Sequence, residues 1–126
     1  MPDDATTVDP SLPLFDESAA LERVGDDREL LGDLLGIFLE ECPAQISALE
    51  AAVNASDAGA LTRAAHAVKG GLLSIGAEAP AAHARALEAL GRSGTTEGAA
   101  AGLSTLQALM TELVQVLLAW RAAMAA

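Results

Sequence analysis

His66 lies in a stretch of sequence whose residue types could carry out nucleophilic chemistry. Apolar residues recur around it at the helical period, which places His66 on the solvent-facing side of a predicted helix. Lys69 follows one turn later on the same face. A neutral imidazole is a good nucleophile near pH 7, and the lysine could balance the charge of a phosphoryl group on the ring. The same spacing also fits a solvated His–Lys pair without a function.

Gly70 and Gly71 place two residues without side chains inside this predicted helix. Each glycine costs a helix about 1 kcal/mol relative to alanine. A bare helix surface beside an exposed histidine lets a ligand or the backbone of another molecule come close.

The second histidine, His83, precedes Leu87 by four positions and so falls on the packing face of the next predicted helix. We interpret it as a histidine at a helix interface. A metal site in a helical bundle needs a glutamate three residues before each histidine, and Arg63 and Pro80 occupy those positions. The sequence therefore predicts no metal site.

Five helices are predicted to position these residues. Asp16 can cap a short first helix that ends near Val24, and Asp26 with Glu29 has the spacing of a capping box that opens the second. Pro43 interrupts the second helix, where we expect a kink, because proline removes a backbone donor and crowds the preceding turn.

Asp57 can cap the third helix, which reaches about Ile75. Pro80 fits the first turn of the fourth helix, which ends near Arg92, and the long fifth helix begins after Glu97. The core stripe of the third helix is predicted to be Leu61, Ala65, Val68, Leu72 and Ile75. Short connections between long helices favour an all-α fold, an antiparallel four-helix bundle with a short additional N-terminal helix.

The composition fits one domain of this kind. The 126 residues are 52% apolar, with only two Phe, one Trp and no Tyr, which favours helices over sheet. We expect residues 1–13 to be a flexible lead-in and residues 14–126 to be the domain. Cys42 is the only cysteine, and no signal peptide or membrane span is apparent, so we expect a cytoplasmic protein.

The net charge of −11 makes nucleic acid an unsuitable partner, because binding to phosphate backbones needs clustered basic residues. This negative charge belongs to residues 1–50, whereas acidic and basic residues balance over 51–126. The basic residues of the second part that fall near His66 are Arg63, Lys69, Arg85 and Arg92. They predict a small basic rim suited to one phosphoryl group and an acidic partner pocket.

The sequence around the histidine resembles the A-H-x-L-K-G signature of histidine phosphotransfer (HPt) domains, and the matching run is Ala65-His66-Ala67-Val68-Lys69-Gly70-Gly71. Gly76 follows at the spacing of a later glycine in that pattern. The pair Phe38-Leu39, the proline at Pro43 and the pair Leu87-Glu88 agree with the same family. The resemblance covers about residues 14–120.

The resemblance implies roles for the matching positions. His66 would accept a phosphoryl group from the aspartyl phosphate of a receiver domain and pass it to the Asp of another receiver. Lys69 would hold or neutralise the phosphate, and Gly70 would leave room for the receiver. Glu88 falls where the family often has Gln or another polar residue that binds imidazole Nδ1, which leaves Nε2 to attack.

Other positions have supporting roles under this resemblance. Arg92, Arg85 and Arg63 would add positive charge to the rim. Gly71 stands where Ser or Ala is frequent, so a hydroxyl bond to the phosphate is lost there. A charged Glu88 would hold the imidazole more firmly than Gln.

The resemblance also implies a relay intermediate without kinase activity, because the chain shows no glycine-rich nucleotide loop. Its partners would be response-regulator receiver domains and a hybrid histidine kinase, and the candidate docking residues are Leu34, Ile37 and Phe38. We expect a monomer without a cofactor of its own, Mg²⁺ being held by the receiver. One alternative is a helical adaptor that binds receiver or kinase domains without carrying phosphate; a small-ligand or metal-binding bundle is less favoured.

Overall fold

The computed structural model describes residues 8–125, and the regular structure of these residues is entirely helical. The five helices are α1 (Glu17–Arg23), α2 (Arg28–Asn54), α3 (Ala58–Ser74), α4 (Glu78–Arg92) and α5 (Ala99–Ala125). The four long helices form the bundle that the sequence predicted, and α1 is the short additional helix. Helix α3 packs against α2 and α4, and α5 packs against the same two helices.

The apolar stripe predicted for α3 faces the core. Its members Leu61, Ala65, Val68, Leu72 and Ile75 are all at most 1% exposed. Leucines of α2 and α5 complete the same core. Burial of a leucine side chain contributes about 1.5–3 kcal/mol, so this stripe fixes which face of α3 is left for solvent. His66, which lies between two of the stripe positions, therefore points outward.

Aspartates start three of the helices. Asp16, Asp27 and Asp57 each accept a hydrogen bond at 3.0 Å from the backbone N–H three residues later. The predicted capping box at Asp26 is wrong by one residue. Asp26 has a φ of 62°, and its N–H donates to the Leu21 carbonyl, which ends α1. Because Asp26 completes the first helix in this way, Asp27 is the residue that caps the second.

Helix α2 continues through Pro43 to Asn54, so the proline does not interrupt it, whereas the kink expected there stays a prediction. Pro43 is exposed, whereas Cys42 and Leu49 on the core side are buried. Packing of the residues before and after the proline holds both halves in one helix, and it outweighs the lost backbone hydrogen bond.

Helices α3 and α4 approach closely at Gly91. A Cβ atom at this position would lie 2.8 Å from the Ala58 carbonyl oxygen and 2.9 Å from the Thr62 nitrogen. Real Cβ atoms do not approach backbone atoms so closely, so only glycine fits here. The close approach also brings Glu88, one turn earlier on α4, within reach of α3.

Trp120, near the end of α5, contacts residues at the starts of α1 and α2. Its indole Nε1 donates to Glu17 Oε2 at 2.7 Å, and Arg28 donates to the same oxygen at 2.9 Å. The Arg28 guanidinium also lies 5.3 Å from the centre of the Trp120 ring. These contacts hold α1 against the start of α2 and the end of α5.

The predicted lead-in, residues 1–13, lies partly outside the described residues. From residue 8 onward the chain reaches α4, where the Ala79 N–H donates to the Pro13 carbonyl at 2.9 Å. Helix α5 is long and apolar enough to cross a membrane by length and composition. Core helices of other proteins pass the same test, and one such helix is weak evidence of a membrane span. In α5, 28% of the apolar window is buried in the bundle, Leu106, Leu113 and Leu117 included.

Candidate functional site

His66 lies at the middle of α3 with 64% of its side chain exposed. Its Nδ1 atom is 2.8 Å from Glu88 Oε2 on α4. The helical period predicted the exposed face, and the neighbouring helix supplies the partner. One ring nitrogen is therefore held by the protein while the other side of the ring faces solvent.

Glu88 is the centre of the site. Its side chain is only 3% exposed, and no other charged side chain among residues 8–125 is buried to this extent. Lys69 Nζ lies 2.7 Å from Oε1, and Arg92 lies 2.8 Å from Oε2. Together with His66, three nitrogen donors surround one carboxylate, which compensates for the cost of removing it from water.

These contacts favour the ionised form of Glu88. Burial raises the pKa of its carboxyl, but hydrogen bonds from Lys69 and His66 and the charges of Lys69 and Arg92 lower it more, so the net shift is downward. An ionised carboxylate only accepts hydrogen bonds. The proton of a neutral His66 ring must then lie on Nδ1, and Nε2 keeps its free lone pair.

The electrostatic balance of the cluster favours an incoming anion. With a neutral ring, the single negative charge of Glu88 is exceeded by the charges of Lys69 and Arg92. Lys69 is 18% exposed and lies close to the carboxylate, whereas Arg92 is 65% exposed and reaches into solvent. An anion at Nε2 thus meets a small excess of positive charge.

The remaining predicted positions divide into two groups. A Cβ atom at Gly70 would have no neighbour within 4 Å, so the surface beside the histidine is open as expected. A Cβ atom at Gly71 would instead lie 3.7 Å from the Phe38 ring. Gly71 therefore faces α2, and the expectation that a hydroxyl at this position would bond the phosphate stays a prediction. Arg63 and Arg85 are exposed and lie outside the cluster of His66, Lys69, Glu88 and Arg92.

The three candidate docking residues of α2 differ in exposure. Leu34 and Ile37 are 36% and 50% exposed, and together with Gly71 they line a small groove between α2 and α3. Phe38 is only 6% exposed and belongs to the core. The exposed apolar surface beside α3 therefore consists of Leu34 and Ile37, and Phe38 lies beneath it in the core.

The second histidine has a different environment. His83 is half-buried on α4 beside apolar residues of α5, and burial lowers the pKa of its imidazole. It lacks the carboxylate partner of His66. In the described part of the chain, no group of three or more His, Cys, Asp or Glu residues is placed to hold a metal ion.

The pairing of Lys69 with Glu88 was missed by the sequence reasoning. The two residues lie on different helices, and neither spacing nor hydrophobic period relates them. The contact between Arg92 and Glu88 has a sequence signal, because residues four apart on a helix are neighbours. The basic rim therefore includes two cations that are held by one buried acid.

Comparisons with known proteins agree with this geometry. The family model for the Hpt domain matches residues 33–116. A solved structure, that of histidine-containing phosphotransfer protein B (HptB) from Pseudomonas aeruginosa PAO1, is similar with a TM-score of 0.81 and 26% sequence identity. The match covers 88% of this chain and 96% of that one. A search of curated proteins found no match.

Proposed function

Since the chain belongs to the histidine phosphotransfer (Hpt) family of two-component phosphorelays, we propose that His66 is its phosphoacceptor. The observation that carries this proposal is an exposed imidazole whose Nδ1 is bound by the buried Glu88 carboxylate. Nε2 is then the nucleophile, and it is held on a rigid helix at the open surface beside Gly70.

The proposed reaction moves one phosphoryl group. The Nε2 lone pair attacks the phosphorus of a receiver's aspartyl phosphate, and the bond from phosphorus to the aspartate oxygen breaks. The aspartate leaves as a carboxylate. The charges of Lys69 and Arg92 favour the phosphoryl group at Nε2, and transfer to the Asp of another receiver is the reverse reaction.

The proposed partners are receiver domains and a hybrid histidine kinase. The exposed Leu34 and Ile37 offer an apolar contact, and the basic residues around His66 complement the acidic pocket of a receiver. Gly70 leaves space for the partner's loops. In this proposal the chain is a carrier without kinase activity, and any Mg²⁺ belongs to the receiver.

The test replaces the proposed acceptor. Wild-type protein and His66→Gln are each incubated with a phosphorylated cognate receiver, and acid-labile, base-stable phosphate is measured on the product. We expect wild type to take up phosphate and His66→Gln to remain folded without doing so. The matched control is His83→Gln, which removes the other histidine and should leave uptake unchanged.

Two outcomes would overturn the proposal. Uptake of phosphate by His66→Gln at the wild-type level would place the acceptor elsewhere in the chain. Failure of the wild type to gain phosphate from any cognate receiver would favour the adaptor that binds receivers without carrying phosphate.

A further inference from the structure

Helix α2 carries an exposed apolar strip beside the surface that holds His66. The strip consists of Leu30, Leu34 and Ile37, which are spaced four and three positions apart and so share one face of the helix. Each of them is at least 36% exposed. The strip borders the groove between α2 and α3, a cavity of about 100 Å³. A contiguous exposed apolar patch with polar residues at its rim is typical of a surface that binds another protein.

The next position on this face of α2 is an acid. Glu41 follows Ile37 by four residues, and it lines the groove opposite Gly71 and Ser74 of α3. Its side chain is exposed. Within residues 8–125 the acids that form ion pairs are Glu17 and Glu88, so the Glu41 carboxylate is available to a group from another molecule.

Glu41 differs in position from the other exposed acids of α2. Glu29 and Asp33 lie at the surface between α2 and the end of α5, and they do not line the groove. Among the described residues, Glu41 is the one charged residue that does. A partner segment that fills the groove therefore meets a single fixed negative charge.

The opposite charge lies on the other side of α3. Arg63 and Arg92 are exposed near His66, whereas no basic residue from the described part of the chain lines the groove. Packed helix axes are about 8–10 Å apart, so a partner that covers both helices spans both charges. The surface is thus basic at the histidine, apolar beside it and acidic at Glu41.

This order of charges restricts which partner can bind. A receiver brings an acidic pocket to His66, and the chain carries a net charge of −11. An acidic group opposite Glu41 would add repulsion at a partly shielded contact, whereas a basic group there would add attraction. Charges at such positions change the rate of association and suppress the wrong partners.

We propose that Glu41 is a specificity-determining residue, which favours receivers with a lysine or arginine on the segment that fills the groove between α2 and α3. The inference rests on the proposed function of His66, because the same receiver must place its aspartyl phosphate at Nε2. Glu41 does not belong to the cluster of His66, Lys69, Glu88 and Arg92. It therefore acts on the choice of partner and not on the transfer step.

The experiment reverses this charge. Wild type, Glu41→Lys and the control Glu112→Lys are each mixed with a phosphorylated cognate receiver, and the initial rate of phosphate uptake is measured. The rates are taken at about 0.01 M and about 1 M NaCl, where the screening length is about 30 Å and about 3 Å. Glu112 is an exposed acid on α5, so its reversal changes the net charge equally but away from the groove.

A second donor reports on His66 itself. Phosphoramidate is a small phosphate donor that does not need the groove, and it should label wild type, Glu41→Lys and Glu112→Lys at the same rate. With the receiver, we expect Glu41→Lys to take up phosphate at least about tenfold more slowly than wild type at low salt. The ratio should shrink at high salt, because the repulsion is screened. Glu112→Lys should follow the wild type.

A charge exchange identifies the group that Glu41 contacts. The exposed lysines and arginines of the receiver are replaced one at a time by glutamate. We expect one of these receiver variants to transfer phosphate faster to Glu41→Lys than to wild type, because the exchanged charges attract again. If every variant prefers the wild type, no basic residue of the receiver lies opposite Glu41, and the inference is wrong.

The low-salt rates decide between the other outcomes. Equal rates for wild type and Glu41→Lys, an equal loss in Glu112→Lys, or faster transfer to Glu41→Lys would each overturn the inference. Phosphate on wild-type His66 would still support the proposed function in all three cases. Absence of phosphate on wild-type His66 with both donors would instead count against the proposed function itself.

Glu41→Gln covers the case in which Glu41→Lys does not fold. Glutamine keeps the shape of the side chain and removes only its charge, at an exposed position of α2. Its uptake from the receiver at low salt should be about threefold slower than that of wild type, since the attraction is lost without a new repulsion. An unchanged rate would overturn the inference.

Discussion

Glu88 is a buried charged side chain, and its stability in that position depends on the donors around it. Lys69, His66 and Arg92 each lie within 2.8 Å of a carboxylate oxygen. Removal of any one partner leaves the charge less well compensated. The same contacts that prepare His66 for chemistry therefore also contribute to the stability of the fold.

This arrangement predicts a specific dependence of stability on pH. The pKa of Glu88 lies below its ordinary value of 4.5 in the folded protein, so its contribution is fully present above that value. The contribution is lost as the pH falls through the lower, folded-state pKa. We expect the free energy of unfolding to fall more between pH 7 and pH 3 in wild type than in Glu88→Gln.

Urea denaturation followed by circular dichroism at several pH values measures both curves. Other carboxylates, such as Glu17, also contribute to the acid dependence of both proteins, since the pKa of Glu17 is lowered by its bond from Trp120. The difference between the two curves gives the contribution of Glu88 to the pH dependence of stability. Parallel loss of stability in wild type and variant would contradict the prediction.

Gly70 lowers the stability of α3, and apart from its chain neighbours and the backbone of its own helix no atom of residues 8–125 lies within 4 Å of where its Cβ would stand. A Cβ atom would have open space there, so alanine fits and should stabilise the protein by about 0.5–1 kcal/mol. The same methyl group would stand on the surface where we place the receiver. We expect Gly70→Ala to unfold at higher denaturant concentration but to exchange phosphate with a receiver more slowly.

Phosphorylation by phosphoramidate separates docking from chemistry, because this small donor does not need the docking surface. Its reaction with Gly70→Ala should proceed at the wild-type rate. Gly32→Ala is the matched control, because a Cβ at this α2 position meets only the Trp120 ring at an ordinary 3.6 Å. Transfer that is equally slow with both donors would argue that the substitution disturbs His66 itself.

At the scale of the helices, start signals and hydrophobic period were enough to predict all five elements. The errors occurred at a residue between two helices, which either helix could have used, and at a residue whose conformational preference is outweighed by packing in the core. Asp26 ends α1 rather than starting α2, because it adopts a left-handed conformation next to Gly25. Pro43 stays inside α2 because buried residues on both sides of it hold the helix together.

The spacing between α3 and α4 leads to a further prediction. Gly91→Ala would place a methyl group against the Ala58 carbonyl and the Thr62 nitrogen, which are backbone atoms and cannot rotate away. We expect a loss of about 1–3 kcal/mol in the free energy of unfolding, measured by urea denaturation. Because Glu88 lies one turn before Gly91, the contact with His66 should weaken as α4 moves outward.

The double variant Thr62→Ala with Gly91→Ala tests this explanation. It removes the Thr62 hydroxyl, which the added methyl group would also meet, but leaves the backbone atoms in place. Stability should therefore stay close to that of Gly91→Ala alone. Full recovery in the double variant would show that the side chain, and not the helix spacing, sets the limit.

At the scale of the molecule, the sequence predicts the helices better than the contacts between them. His66 could be assigned to an exposed face from the period alone, and Glu88 was assigned to it only through the family resemblance. The bond between Trp120 and Glu17 joins residues 103 positions apart and has no local signal. Such contacts depend on how whole helices are arranged, which the local pattern does not encode.

The distribution of charge is a property of the whole chain with a consequence for stability. The net charge of −11 arises from the first fifty residues, and exposed acids follow one another along α2. Glu29 and Asp33 are four positions apart on that helix, where like charges repel. The basic residues near His66 belong to the other part of the chain. Repulsion in the acidic part therefore opposes folding without being needed for the site.

Salt should relieve this repulsion, because the screening length falls from about 30 Å at 0.01 M to about 3 Å at 1 M. We expect the Tm measured by calorimetry to rise by several degrees as NaCl is increased over this range. A Tm that falls with salt would instead mean that attractive ion pairs, such as Arg28 with Glu17, outweigh the repulsion among the acids of α2.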